Sequence, residues 1–139
     1  MLTGEYRQKV DEKGRLNFPA KFRDEMGETF YVTRWLDECL IALPEAKFEQ
    51  VRRKLSESGM VKNRALRRML YSGAELEKPD KQGRILLPAH LREHAAIEND
   101  TVVIGVDDYV EIWNPERWRA MTDSMRDGEM AAAMEGLDI

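Results

Sequence analysis

Residues 11–23 read DEKGRLNFPAKFR, and residues 80–92, which begin 69 positions later, read DKQGRILLPAHLR. The two stretches are identical at 6 of 13 positions, and three further positions keep apolar character. Three more pairs match at offsets of 69 or 71, namely Gly4 with Gly73, Asp37 with Asp108, and Pro44 with Pro115. The chain therefore consists of two copies of one unit, and its fold should be that of a repeat.

An Asp-x-x-Gly-Arg turn lies between two strand-like segments in each copy. Glycine suits the left-handed position of a tight hairpin turn, and the aspartate can accept backbone hydrogen bonds within it. The arginine lies on the same turn, so the carboxylate can pair with the guanidinium and fix its direction. The residues concerned are Asp11, Gly14 and Arg15 in the first copy, and Asp80, Gly83 and Arg84 in the second.

Prolines and glycines mark the remaining elements of each copy. Pro19 and Pro88 predict the first turn of a short helix, which should end at Gly27 in the first copy and near Ile97 in the second. Longer helices should follow Pro44 and Pro115. Apolar segments predict strands over residues 30–33, 39–43, 101–106 and 109–113.

A further helix is predicted over residues 63–71, with its apolar and basic side chains on different faces. The apolar face should hold Leu66, Met69 and Leu70, and the basic face Arg64, Arg67 and Arg68.

Each βαββ unit is only about 35 to 45 residues long, which is near the lower limit for independent folding. The two units should therefore share one core. We expect an α+β, β-rich fold in which the strands of two βαββ repeats interleave into one small barrel with outer helices. The expected divisions are residues 1–47 for the first repeat, 48–72 for a helical connector, 73–119 for the second repeat and 120–139 for a partly disordered C-terminal helix and tail.

The turn, the short strand, the Pro-Ala pair and the short helix resemble the swapped-hairpin barrels of the AbrB-type proteins. Two tandem copies with four further segments resemble the MraZ family over roughly residues 1–119. Those segments are the Gly-Glu-Tyr start, Ser72-Gly73-Ala74, Ile104-Gly105-Val106 and Glu111-Ile112-Trp113.

This resemblance implies a bacterial transcriptional regulator rather than an enzyme. It implies binding of double-stranded DNA at repeated promoter boxes upstream of the division and cell-wall gene cluster, usually as a repressor. It further implies a homo-oligomeric ring, associated with the nucleoid in the cytoplasm. No cofactor, metal, membrane or small-molecule substrate is expected.

The two Asp-x-x-x-Arg loops carry the DNA-binding role in the resembling families. By this resemblance, the candidate DNA-binding residues are Asp11, Lys13, Gly14 and Arg15 in the first loop and Asp80, Lys81 and Arg84 in the second. Lys13 is matched by Gln82, so we take the first loop to be the more basic one and Arg15 to be the principal base or phosphate contact. The alternative is that the Asp–Arg pairs only stabilise two hairpins.

The overall net charge of −4 hides an uneven distribution. Residues 1–69 contain 15 basic and 11 acidic side chains, a net of +4, whereas residues 70–139 contain 7 and 15, a net of −8. A basic half is compatible with a phosphate-facing surface, although solvated helix faces would give the same count. The single cysteine, Cys39, allows no intrachain disulfide and fits a reducing compartment.

Other classes of function are less well supported by the residues. His90, Glu93 and His94 spell the H-x-x-E-H motif of a zinc peptidase family, but they lie within the scaffold repeat on a short helix. A non-catalytic interaction protein would use exposed aromatic residues; we expect Trp113 in the core and Trp35 partly exposed. An antitoxin is disfavoured because related antitoxins usually carry one copy of the motif.

Overall fold

The computed structural model describes residues 1–139. The chain contains eight strands and six α-helices, and no helix has the length and apolar character needed to cross a membrane. The first repeat and the connector contain β1 Glu5–Lys9, β2 Arg15–Asn17, α1 Ala20–Met26, β3 Phe30–Arg34, β4 Leu40–Pro44, α2 Glu45–Glu57 and α3 Arg64–Gly73. The remainder contains β5 Glu75–Glu77, β6 Arg84–Leu86, α4 Ala89–Ala95, β7 Asp100–Val106, β8 Tyr109–Trp113, α5 Pro115–Ser124 and α6 Met130–Met134.

Strands from both repeats make up one six-stranded antiparallel sheet in the order β1-β7-β8-β4-β3-β5. Strand β1 of the first repeat pairs with β7 of the second, and β5 of the second pairs with β3 of the first. Strands β4 and β8 join the two halves. The remaining strands, β2 and β6, form a separate two-stranded ribbon. The α+β, β-rich class is confirmed; closure into an AbrB-like barrel stays a prediction.

The two repeats share one hydrophobic core of 18 buried residues. Phe18 and Phe30 of the first repeat pack with their ring centroids 4.8 Å apart, and Leu87 and Leu91 of the second repeat are fully buried in the same cluster. Burying a side chain of this size stabilises a fold by about 1.5 to 3 kcal/mol. Either repeat alone would expose much of this surface, which explains why the two copies fold together.

The connector helix α3 is amphipathic, as the sequence predicts, but its apolar face is only partly buried. Leu70 is buried as expected, but Leu66 and Met69 are 47% and 49% exposed, and Arg67 turns inward beside Tyr71. The expected segregation of an apolar face from a basic face is confirmed, but part of the apolar face is exposed to solvent. The Thr33 hydroxyl donates to the Leu70 carbonyl and so ties α3 to β3.

The ends of the other helices follow the sequence prediction closely. Helix α1 ends before Gly27, and α4 ends at Ala95, two residues before the expected end. Pro19 and Pro88 occupy the position just before the helix rather than its first turn. After α5 the chain kinks at Asp127 and Gly128, where the φ of Gly128 is +102°, and continues into α6. The partial disorder expected for residues 120–139 stays a prediction.

Gly105 marks a close approach between β7 and the N-terminal residues. A Cβ at this position would lie 2.5 Å from the Thr3 backbone nitrogen and 2.6 Å from the Leu2 carbonyl carbon. Leu2 is 2% exposed, and its backbone exchanges two hydrogen bonds with Asp107, of 2.7 and 2.8 Å. Only glycine leaves room for this segment.

Candidate nucleic-acid interface

The first turn is closed by backbone and side-chain hydrogen bonds that all involve Asp11. Its backbone N–H donates to the Arg15 carbonyl, and its carbonyl accepts from Gly14, both at 2.9 Å. One carboxylate oxygen accepts from the backbone N–H groups of Lys13 and Arg15, and the other accepts from Arg15 Nε at 2.7 Å. The aspartate thus fixes both the turn and the direction of the guanidinium.

The second turn repeats this geometry around Asp80. Its carboxylate accepts from the backbone N–H groups of Gln82 and Arg84, both at 2.9 Å, and from Arg84 Nε at 3.0 Å. Gly14 and Gly83 have φ values of +83° and +81°, so both occupy the left-handed position expected from the sequence. The geometry predicted for both turns is confirmed.

The antiparallel ribbon has one turn at each end and carries Arg15 and Arg84 on the same face. Strands β2 and β6 pair so that Arg15 faces Leu86 and Asn17 faces Arg84. The Phe18 backbone N–H donates to the Gly83 carbonyl at 2.9 Å, and that of Leu87 donates to the Gly14 carbonyl at 2.8 Å. Arg84 Nη1 also lies 3.8 Å from the Asp11 carboxylate. The two Asp–Arg pairs therefore form one continuous surface, which we call the ribbon tip: residues 11–15 and 80–84.

Two further arginines, one from α1 and one from α4, contact the backbone next to the ribbon tip. Arg23 Nε donates to the Phe18 carbonyl at 3.3 Å, and Arg92 Nε donates to the Leu87 carbonyl at 2.9 Å. The Arg23 guanidinium lies where a Cβ of Gly83 would be, and Arg92 Nε would lie 3.2 Å from a Cβ of Gly14. Each arginine thus supports the turn of the other repeat. One sequence signal points to this role, namely that position 23 and position 92, which are 69 residues apart, both hold arginine.

The charged groups of the ribbon tip remain accessible to solvent. The side chains of Arg15 and Arg84 are 33% and 28% exposed, and Lys13 and Lys81 are exposed without an ion pair. The pKa of Asp11 lies below its ordinary value, chiefly because the Arg15 backbone N–H donates to it, and that of Asp80 is lowered in the same way by Arg84. Both carboxylates therefore stay ionised at neutral pH and keep the guanidinium groups oriented.

The expectation that the first loop is the more basic one is wrong. Residues 11–15 carry two basic and two acidic side chains, whereas residues 80–84 carry two basic and one acidic. In the first loop the negative charge of Glu12 cancels the positive charge of Lys13. In the second loop the position that corresponds to Glu12 holds Lys81, which is positive. Net charge therefore gives no reason to rank Arg15 above Arg84.

The two histidines of the H-x-x-E-H motif have different surroundings on α4. His94 Nε2 lies 3.1 Å from the Trp35 carbonyl oxygen, whereas His90 Nε2 is buried without a hydrogen-bonding partner, and Glu93 is exposed. No group of three or more His, Cys, Asp or Glu side chains is placed to hold a metal ion. Trp113 is 3% exposed and Trp35 is partly buried, as expected.

The repeat and its paired turns match a known protein family along the whole chain. The model of the family described as "MraZ protein, putative antitoxin-like" matches residues 1–68 and again residues 70–138. The chain belongs to the MraZ family. Proteins named transcriptional regulator MraZ from Finegoldia magna and Halothermothrix orenii are 39% and 42% identical to it, over all of both chains. The protein of that name from Symbiobacterium thermophilum is 50% identical over 83% of this chain and 85% of its own.

Glu77 is a buried carboxyl next to the ribbon. It is 8% exposed, pairs with Phe30 across β5 and β3, and accepts from the Leu86 backbone N–H of β6. Burial raises the pKa of Glu77 to about 7. Between about pH 4.5 and 7 the Glu77 carboxyl is therefore protonated in the folded protein but ionised in the unfolded chain. Because the folded state binds the extra proton, the free energy of unfolding falls as the pH rises through this range.

We expect Glu77→Gln to remove this pH dependence. Relative to wild type, the variant should gain on the order of 2 kcal/mol of unfolding free energy between pH 4.5 and 7.5, because the glutamine has no proton to lose. Urea unfolding at several pH values measures the difference. Glu28→Gln, at an exposed carboxyl, is the control and should run parallel to wild type. A constant difference between Glu77→Gln and wild type across this range would contradict the assignment.

Proposed function

We propose that this chain is a DNA-binding transcriptional regulator that contacts double-stranded DNA through the ribbon tip. The observation that carries the proposal is the pair of Asp-oriented arginines, Arg15 and Arg84, held on the same face of the ribbon and accessible to solvent. An oriented guanidinium can read guanine in the major groove with two hydrogen bonds, or bind a phosphate. The names of the family's curated members support the same role.

The remaining parts of the site have distinct roles in this proposal. Lys13 and Lys81 add positive charge beside the arginines, while Asp11 and Asp80 orient the guanidinium groups and do not contact DNA. Gly14 and Gly83 allow the turns to form. The structural alternative, in which the Asp–Arg pairs only stabilise hairpins, predicts no change in DNA binding when an arginine is replaced.

We further propose that the chain represses its target by binding repeated promoter boxes of the division and cell-wall gene cluster, as a ring in the cytoplasm at the nucleoid. It would act without catalysis or a cofactor. Residues 1–47 and 73–119 would serve as the two repeats, 48–72 as a connector and 120–139 as a tail. Repeated boxes suit a ring because several weak contacts made at once give strong binding.

Two exposed surfaces of opposite charge support self-association. The first, which we call the α3 patch, holds four exposed apolar side chains beside exposed Lys62, Arg64 and Arg68; they are Met60, Val61, Leu66 and Met69. The second is the C-terminal segment, residues 120–139, which exposes Met130, Met134, Leu137 and Ile139 and carries five acidic side chains against one basic. Apolar contact and charge complementarity would join one copy to the next, head to tail.

The double substitution Leu66→Ser and Met69→Ser should reduce the size of the assembly. Both side chains are about half exposed, so their loss should leave the fold intact while removing apolar contact area between copies. Light scattering after size-exclusion chromatography measures the molar mass. Leu36→Ser, at a 65% exposed leucine outside the patch, is the control. An unchanged mass of the double variant would place the contact elsewhere.

The proposed function is tested most directly with DNA from immediately upstream of the protein's own gene. A mobility-shift titration against a scrambled competitor should show specific binding that weakens steeply as the salt concentration rises, because phosphate contacts release counterions. DNA with several boxes should bind far more tightly than DNA with one. Equal affinity for the promoter and the scrambled DNA would contradict sequence-specific regulation.

A further inference from the structure

A cleft of about 670 Å³ lies between α2, α3 and strand β3, on a part of the surface that does not include the ribbon tip. Its aromatic wall is formed by Tyr31 and Phe48, whose rings stack with centroids 4.1 Å apart and planes at 18°. Tyr71 meets Phe48 edge-on, with centroids 6.3 Å apart. The volume lies within the range of roughly 300 to 1,000 Å³ typical of small-molecule sites, and such sites commonly have aromatic walls.

Two hydrogen-bonding groups in this cleft have no partner within the chain. Arg67 Nη1 and Tyr71 Oη are both buried and unpaired, and the Arg67 guanidinium carbon lies 5.4 Å from the centre of the Tyr71 ring. A guanidinium can only donate, and a phenol donates readily. Buried donors in native proteins are nearly always paired, with protein, water or ligand, so these two neighbouring groups are available to an acceptor from outside the chain.

The carboxylates that line the cleft do not supply this acceptor. Glu49 pairs with Arg52 at 2.9 Å and lies near Arg53, and Glu45 accepts a hydrogen bond of 2.6 Å from the Thr29 hydroxyl. Their negative charge disfavours a multiply charged anion such as a nucleic acid or a free phosphate. A ligand with a single negative charge fits the charges present.

We infer that this cleft binds a small monocarboxylate with a flat aromatic body. Its carboxylate accepts from Arg67 Nη1 and Tyr71 Oη, and its body packs against Tyr31 and Phe48. The unpaired donors favour the carboxylate, and the stacked rings favour the aromatic body. The inference does not rest on DNA binding, since none of these side chains belongs to the ribbon tip.

Benzoate is the probe that tests this inference, by titration calorimetry on the full-length protein. We expect saturable binding to one site per chain, and a rise in the melting temperature with benzoate concentration. Benzyl alcohol has the same body without the charge, and acetate has the charge without the body, so each should bind at least about tenfold more weakly. Absence of saturable benzoate binding would overturn the inference.

Variants then locate the site. Arg67→Met keeps the length of the side chain but removes the donor, so benzoate affinity should fall at least about tenfold. Arg68→Met, at the next and exposed position of α3, is the matched control and should bind as wild type does. Tyr71→Phe removes only the hydroxyl and should weaken binding severalfold, which keeps the test decisive if Arg67→Met fails to fold. Wild-type affinity in both cleft variants would overturn the inference, as would phosphate binding as tight as that of benzoate.

Discussion

Replacing Arg15 by alanine is expected to abolish most of the proposed sequence-specific DNA binding while the protein stays folded. Loss of one arginine that reads a base or holds a phosphate costs about 1 to 3 kcal/mol, which is roughly a fivefold to 160-fold loss of affinity. That estimate applies to DNA with a single box. On DNA with several boxes the loss should be larger, because each engaged copy lacks the same contact.

A mobility-shift or fluorescence-anisotropy titration at several salt concentrations measures this effect. A phosphate contact would lower the salt slope by about one and weaken binding to all sequences, whereas a base contact would chiefly reduce the preference for the promoter. The two outcomes therefore distinguish the kind of contact that Arg15 makes.

Arg84→Ala is the informative comparison, because Arg84 has nearly the same surroundings. Both guanidinium groups are oriented by an aspartate, and both are about 30% exposed. Similar losses of DNA affinity for the two variants would show that Arg15 and Arg84 contribute equally to binding. Arg53→Met, at an exposed position on α2, controls for the general loss of a positive charge. Wild-type affinity of Arg15→Ala would leave the Asp–Arg pairs with a purely structural role.

The fold was predictable from the sequence wherever local residue types determine it. The 69-residue repeat predicted two equivalent units, and the Asp-x-x-Gly-Arg pattern predicted both turns and the partners of both arginines. The two turns depend on residues within five positions of one another. For the same reason the helix ends at Gly27 and Ala95 were predicted to within two residues.

Contacts between distant residues were not predictable in this way. The contact of Arg23 with the Gly83 turn depends on how β2 pairs with β6 of the other repeat. The sequence of a single repeat therefore does not predict this contact. How far α3 is covered was not predictable either. Its apolar and basic residues segregate as the pattern predicts, but the pattern does not show that Leu70 is buried while Leu66 and Met69 stay about half exposed. Which part of an amphipathic face is buried depends on the elements that pack against it.

Gly105→Ala is expected to cause the largest loss of stability among the variants considered. The added methyl group would meet the backbone of Leu2 and Thr3, which cannot move aside as a flexible side chain can. The N-terminal segment must then detach, which exposes the buried Leu2 and breaks its two backbone hydrogen bonds with Asp107. We expect a loss of about 3 kcal/mol, and a fall in melting temperature of roughly 10 °C.

Chemical denaturation measures this loss, and Gly136→Ala is the control, because a Cβ at Gly136 would have no atom within 4 Å. A comparison of Gly105→Ala with Arg15→Ala also separates an effect on stability from an effect on DNA recognition. Gly105→Ala leaves every residue of the ribbon tip in place, so its folded fraction should bind promoter DNA at low temperature with wild-type affinity, whereas Arg15→Ala should lose binding at wild-type stability. If Gly105→Ala unfolded at the same denaturant concentration as wild type, the N-terminal segment would not be held against β7 in solution.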